Sequence, residues 1–122
     1  MTIRQAIDQL QATKPCGYDE AFMVRWLSRC EALLDQQVLK RYDKASTGFI
    51  EFDENTDMDT ELIAQEPHDA LYLYFLEAQV NYADGDIAQY NNSMTMFNSE
   101  LELFRREIQR RYRPLRKKRF FF

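Results

Sequence analysis

Glycine and proline are scarce in this chain of 122 residues, with three of each. A fold of many short strands needs frequent turns, so this scarcity favours a few long helices. Histidine is scarcer still. His68 stands alone, beside Pro67 at an expected helix start, which gives little support for an activated nucleophile and leaves neither cysteine a partner at zinc-ligand spacing. Cys16 and Cys30 are too few for the disulfide framework of a small secreted protein, and they read as reduced, partly buried thiols. Long apolar runs are missing too. The longest, Leu71 to Leu76, is too short to span a bilayer, and the opening Met1-Thr2-Ile3-Arg4-Gln5 lacks the apolar core of a signal peptide. No GxSxG, HExxH, CxxC or glycine-rich phosphate loop occurs. These absences lead us to expect a soluble, non-enzymatic protein with no cofactor, no metal and no membrane partner.

Hydrophobic residues make up 45% of the chain and charged residues 30%, a balance that supports a folded domain rather than a disordered chain. Thr2 is a candidate N-cap, followed by Ile3, Ile7 and Leu10 on one helical face and by Pro15 as a stop. Asp19 is the next N-cap, and Met23, Trp26, Leu27, Cys30, Leu33, Leu34 and Val38 mark the buried face of a second helix. From about Tyr42 to Asp59 the helical pattern stops, and Phe49 to Phe52 is a candidate short strand within a loop. Pro67 suits the first position of a third helix whose stripe runs Leu71, Phe75, Ala78, Tyr82, widened by Leu73, Leu76 and Val80. Gly85 fits a left-handed C-cap, and Asp86 caps the next helix. In that last helix Ile87, Tyr90, Met94, Phe97, Leu101, Phe104 and Ile108 recur at heptad spacing. From Asp86 to about Arg113 it would be roughly 40 Å long at ~1.5 Å per residue. The predicted fold is mostly α: a four-helix arrangement with a long C-terminal helix, one acidic loop and an extended tail. The division is a helical domain over 1–113 and a basic, aromatic tail over 114–122.

Charge is distributed unevenly. Residues 1–104 carry 7 basic and 19 acidic side chains, a balance of −12, while residues 105–122 carry 9 basic side chains and one acid, a balance of +8. Such ends suggest an acidic partner or head-to-tail complementarity between copies. Arg105, Arg106, Arg110, Arg111, Arg113, Arg116, Lys117, Lys118 and Arg119 are suited to phosphate contacts, with Phe120, Phe121 and Phe122 as stacking groups. The helix dipole accounts for cations near a C-terminus. It does not account for three terminal phenylalanines, which point instead to burial in a pocket on a partner or a neighbouring subunit. Glu51, Asp53, Glu54, Asp57, Asp59 and Glu61 form an acidic loop with no base among them. Asp53, Asn55, Asp57 and Glu61 match part of an EF-hand frame, but Met58 stands where the turn needs Gly and Ala64 where calcium needs a bidentate Glu. A solvated loop without apolar walls is the expectation.

Several motifs carry a resemblance. Met1-Thr2-Ile3-Arg4-Gln5-Ala6-Ile7-Asp8, Lys14-Pro15 followed by Tyr18, and Arg25-Trp26-Leu27-Ser28 resemble small prophage proteins encoded among head and portal genes. So do Asp57 to Leu62, Leu76-Glu77-Ala78-Gln79, Tyr90-Asn91-Asn92-Ser93-Met94 and Met96-Phe97-Asn98. The matches cover most of residues 1–30 and 57–114. Through them the chain is similar to the head–tail connector (head-completion adaptor) family of tailed bacteriophages. The resemblance implies a structural virion protein at the head–tail interface, assembled in the host cytoplasm as a dodecameric ring beneath the portal protein. The ring would meet a tail-side completion protein and let DNA pass without specific binding, with Asp53, Glu54, Asp57 and Asp59 facing the channel. Arg113, Arg116, Lys117, Lys118, Arg119, Phe120, Phe121 and Phe122 would dock on the portal, though this tail is more basic and aromatic than the family's pattern. The rival expectations are a small nucleic-acid-binding or DNA-packaging protein that uses the basic tail, and another kind of helical interaction protein, such as a tail-completion or toxin–antitoxin component. Asn91, Asn92, Ser93, Asn98 and Ser99 lie off the apolar seam and are candidate subunit contacts.

Overall fold

The computed structural model describes residues 1–41 and 49–112. Among them are four α-helices: α1 (Ile3–Thr13), α2 (Glu20–Gln37), α3 (Ala70–Ala83) and α4 (Ile87–Arg111), with one 3-10 turn at Leu39–Arg41. The mostly helical, four-helix expectation holds. The candidate strand at Phe49 to Phe52 does not form, and the only bridge among the described residues is the isolated antiparallel pair Thr2–Glu61.

The start of α1 shows how the acidic loop is bound into the fold. Thr2 Oγ1 accepts from the Gln5 backbone N–H at 3.1 Å, and Gln5 Oε1 accepts from the Thr2 N–H at 2.9 Å, a reciprocal capping box. The first helical N–H groups have no partner within a helix. Here Ile3 N–H donates to the Thr60 carbonyl at 3.1 Å and Arg4 N–H to the Met58 carbonyl at 2.9 Å. The loop thus serves as the cap of α1, and its acids lie near the positive end of that helix dipole.

Helix α2 turns back across α1. The Arg4 guanidinium clasps Glu20 through both oxygens, at 2.7 and 3.0 Å. Asp19 occupies the N-cap position, although its side chain makes no capping bond. Met23, Trp26, Leu27, Cys30, Leu34 and Val38 are buried as their spacing predicted.

Helix α3 is the central element and packs against α1, α2 and α4. Leu71, Tyr72, Phe75, Leu76, Ala78 and Val80 are all buried, which explains the lack of a polar face. It begins later than expected. Pro67 lies in a turn after a cis peptide bond, and the helix opens at Ala70 with Asp69 as N-cap, so Pro67 is not at the first helical position. The turn holds because His68 N–H donates to the Gln65 carbonyl at 2.7 Å.

Gly85, at φ 81°, ends α3, and Asp86 caps α4 by accepting from the Gln89 N–H at 3.1 Å. Helices α3 and α4 form an antiparallel hairpin. Its register is visible in facing pairs: Tyr82 with Tyr90, Asn81 with Ser93, Phe75 with Phe97 and His68 with Phe104. Phe97, Leu101, Phe104 and Ile108 are buried in the heptad seam. The seam is incomplete at its start, because Ile87 is 52% exposed and Tyr90 and Met94 are half-buried. There the exposed Tyr82 stands against Tyr90, with ring centroids 5.3 Å apart.

Candidate functional site

The predicted tail residues Arg113, Arg116, Lys117, Lys118, Arg119, Phe120, Phe121 and Phe122 lie outside the described residues. The helix that leads to them is described, and its cations are partly neutralised. Glu102 pairs with Arg105 and Arg106, and Glu107 with Arg110 and Arg111. The two arginines beside Glu107 hold its carboxyl below the usual range. Because all these pairs are three or four residues apart on one exposed helix, they are salt-sensitive and individually weak.

The acidic loop is anchored to the body at several points. Asp53 Oδ1 accepts from the Asn55 N–H at 2.8 Å, and Asp57 Oδ1 from the Asp59 N–H at 2.9 Å, so both carboxylates close local turns. Asp53, Glu54, Asp57 and Asp59 are exposed. Among the described residues no three His, Cys, Asp or Glu side chains converge to hold a metal ion.

The expectation of a loop without apolar walls is corrected. A cleft of about 570 Å³ runs between the loop and the first half of α2, floored by Ala21, Val24, Phe52 and Met58 and edged by Asp53 and Glu54. A second, of about 610 Å³, opens on the other side of Phe52, beside Ile50, Leu62 and Ile63. Ile50 is 81% exposed. Phe52 is held in place because its N–H donates to the buried Ser28 Oγ at 3.0 Å.

Beneath the loop lies a buried polar cluster that sequence reasoning missed. Glu31 is 1% exposed; its Oε1 accepts from the Tyr72 hydroxyl at 2.6 Å and its Oε2 from the Ile63 N–H at 2.7 Å. The Tyr72 oxygen in turn accepts from the Ala64 N–H at 2.7 Å. Burial raises the Glu31 carboxyl to about 7, partly offset by the two hydrogen bonds it accepts. Burial, with the Glu31 charge adding to it, pushes the Tyr72 hydroxyl up as well. The neighbouring Cys30 thiol is buried, unpaired and raised for the same reason. The missed signal was positional. Leu27, Glu31, Leu34 and Val38 share one heptad-spaced stripe, so an acid stood where the pattern asks for an apolar residue.

Of the candidate contact residues on α4, Asn91, Asn92, Asn98 and Ser99 are exposed. Ser93 is a correction: it is buried, and its Oγ accepts from Asn81 Nδ2 at 3.2 Å inside the hairpin. Opposite the seam, Asn92, Met96, Ser99, Leu103, Arg106 and Arg110 form an exposed stripe at spacings of four and three. Met96 and Leu103 are 45% and 46% exposed.

Among the described residues, no helix is long and apolar enough to cross a membrane. Comparison with known proteins finds no family model that matches the chain and no curated protein or solved structure with significant similarity to it.

Proposed function

We propose that the protein is a structural subunit of a phage head–tail connector, forming a ring beneath a portal protein and docking on it through residues 113–122. The observation that carries this reading is the two-sided design of α4. One face packs on α3, and the opposite face repeats Met96 and Leu103 among small and polar side chains at heptad spacing. A 25-residue helix about 37 Å long at ~1.5 Å per residue makes a rigid strut for packing neighbours side by side. The motif resemblance supplies the biological setting, and the exposed acids of the loop suit a channel through which DNA slides without adhering.

The test is electron microscopy of the protein mixed with its cognate portal, repeated with a chain truncated after Pro114. Rings on the portal are expected from the full chain, and a folded but non-binding protein from the truncated one. Portal binding that survives truncation would refute the docking role of the tail. Salt-sensitive DNA binding that is lost when Arg116 to Arg119 are neutralised, with no rings formed, would favour the nucleic-acid reading instead.

A further inference from the structure

The two clefts beside the acidic loop leave apolar side chains of α2 and of the loop uncovered. They share Phe52 and Thr56, so they are two sides of one ridge. The ridge is held rigid by the Ser28–Phe52 bond, the Asp53 and Asp57 turns and the cap on α1. A preformed surface loses little entropy on binding. Its floor is apolar and its rim acidic, while Arg25, the basic residue lining the cleft on α2, lies over the Phe22 ring at 5.8 Å.

The chain contains a segment of matching chemistry. Residues 113–122 carry Arg113, Arg116, Lys117, Lys118 and Arg119 ahead of Phe120, Phe121 and Phe122. Cations suit the rim and aromatic rings the floor. Within one molecule the geometry is unfavourable. Tyr112 lines a cleft beside Leu39, at the far end of α2, whereas the acidic cleft is lined by Ala21, Val24 and Arg25. The fourteen to eighteen positions between them place the two clefts roughly 20–27 Å apart along the helix. The eight steps from Tyr112 to Phe120 span at most about 26–29 Å at ~3.3–3.6 Å each, so the tail reaches the cleft of its own molecule only along a direct, largely extended path. A second copy can present its tail without that stretch.

We infer that the cleft between α2 and the acidic loop binds the basic, aromatic C-terminal segment of a second copy of this chain, linking copies head to tail. The contact is distinct from the α4 face and does not rest on the portal reading. One tail cannot serve a neighbour and a portal at once, so the head-to-tail contact belongs to the protein free of portal.

The test uses two full-length variants. Ala21→Arg fills the cleft with a cation on an exposed helix position and leaves the tail intact. Phe120→Ser with Phe121→Ser and Phe122→Ser disables the tail and leaves the cleft intact. Light scattering after size exclusion at low salt is expected to show self-association of the parent chain and a monomer for each variant alone. Mixed in equal amounts, the variants should form a one-to-one dimer, since each supplies what the other lacks, and association should weaken about tenfold or more as salt is raised. Circular dichroism checks that both variants keep the parent's helix content. A parent chain that stays monomeric overturns the inference, as does either variant self-associating like the parent, or a mixture that remains monomeric. No portal is present, so failure here is separate from failure of the connector reading.

Discussion

The Tyr72 hydroxyl donates to the Glu31 carboxylate at 2.6 Å although the two lie 41 positions apart in the chain. Through this pair α2, α3 and the segment at Ile63 and Ala64 are joined in one buried cluster. Removing the hydroxyl leaves both the Glu31 oxygen and the Ala64 N–H without a partner. Tyr72→Phe should therefore cost about 2–6 kcal/mol, since each of the two orphaned buried groups costs about 1–3 kcal/mol. Urea denaturation measures it. A loss below about 0.5 kcal/mol would mean that water replaces the bonds.

Glu31 also makes stability depend on pH. Below about 4.5, its ordinary value, the carboxyl is protonated in the folded and unfolded chains alike. Between there and about 7 the unfolded chain has lost the proton while the folded chain still holds it. Stability therefore falls as pH rises through this window, by about 3 kcal/mol for a shift of that size, and is flat above it. Glu31→Gln cannot ionise. The parent-minus-variant difference in unfolding free energy should change across this window, and parallel curves for the two proteins would show that Glu31 titrates normally.

The hairpin turn is tested by Gly85→Ala. Gly85 has φ 81° and an added Cβ would meet no heavy atom within 4 Å, so only the backbone conformation resists the change. The left-handed conformation costs a non-glycine residue about 1–2 kcal/mol. The midpoint of thermal unfolding should drop accordingly. No change would mean that the turn relaxes to another geometry.

The parts of this architecture that follow from nearest-neighbour chemistry were readable in advance. The Thr2 N-cap, the Gly85–Asp86 junction and the Phe97, Leu101, Phe104, Ile108 seam each depend on residues a few positions apart. What depends on distant partners was not readable. Glu31 resembles a break in an apolar stripe until Tyr72 and the loop N–H groups are placed beside it. Ser93 looks solvent-facing until Asn81 is seen across the hairpin. Pro67 satisfied a local rule for helix starts, yet the turn closed by His68 and Gln65 takes that position. The acidic loop looked solvated because Phe52 and Met58 form an apolar floor only once Ala21 and Val24 of α2 stand beside them.

The two faces of α4 should separate folding from assembly. Phe97→Ala removes a buried ring that meets Phe75 at 5.2 Å and should cost about 3–5 kcal/mol. Met96→Asp combined with Leu103→Asp alters the opposite, exposed stripe. Its effect on the unfolding midpoint should be small, within about 0.5 kcal/mol per site, because neither side chain is buried in the single chain. If α4 packs against its neighbours in a ring, two buried carboxylates there would be unpaired, and assembly on a portal should be lost at protein concentrations where the parent assembles. Thermal unfolding and electron microscopy on the same preparations read the two effects independently. Rings that form normally with both aspartates in place would show that this face is solvent-facing in the assembly as well, and that neighbours meet elsewhere.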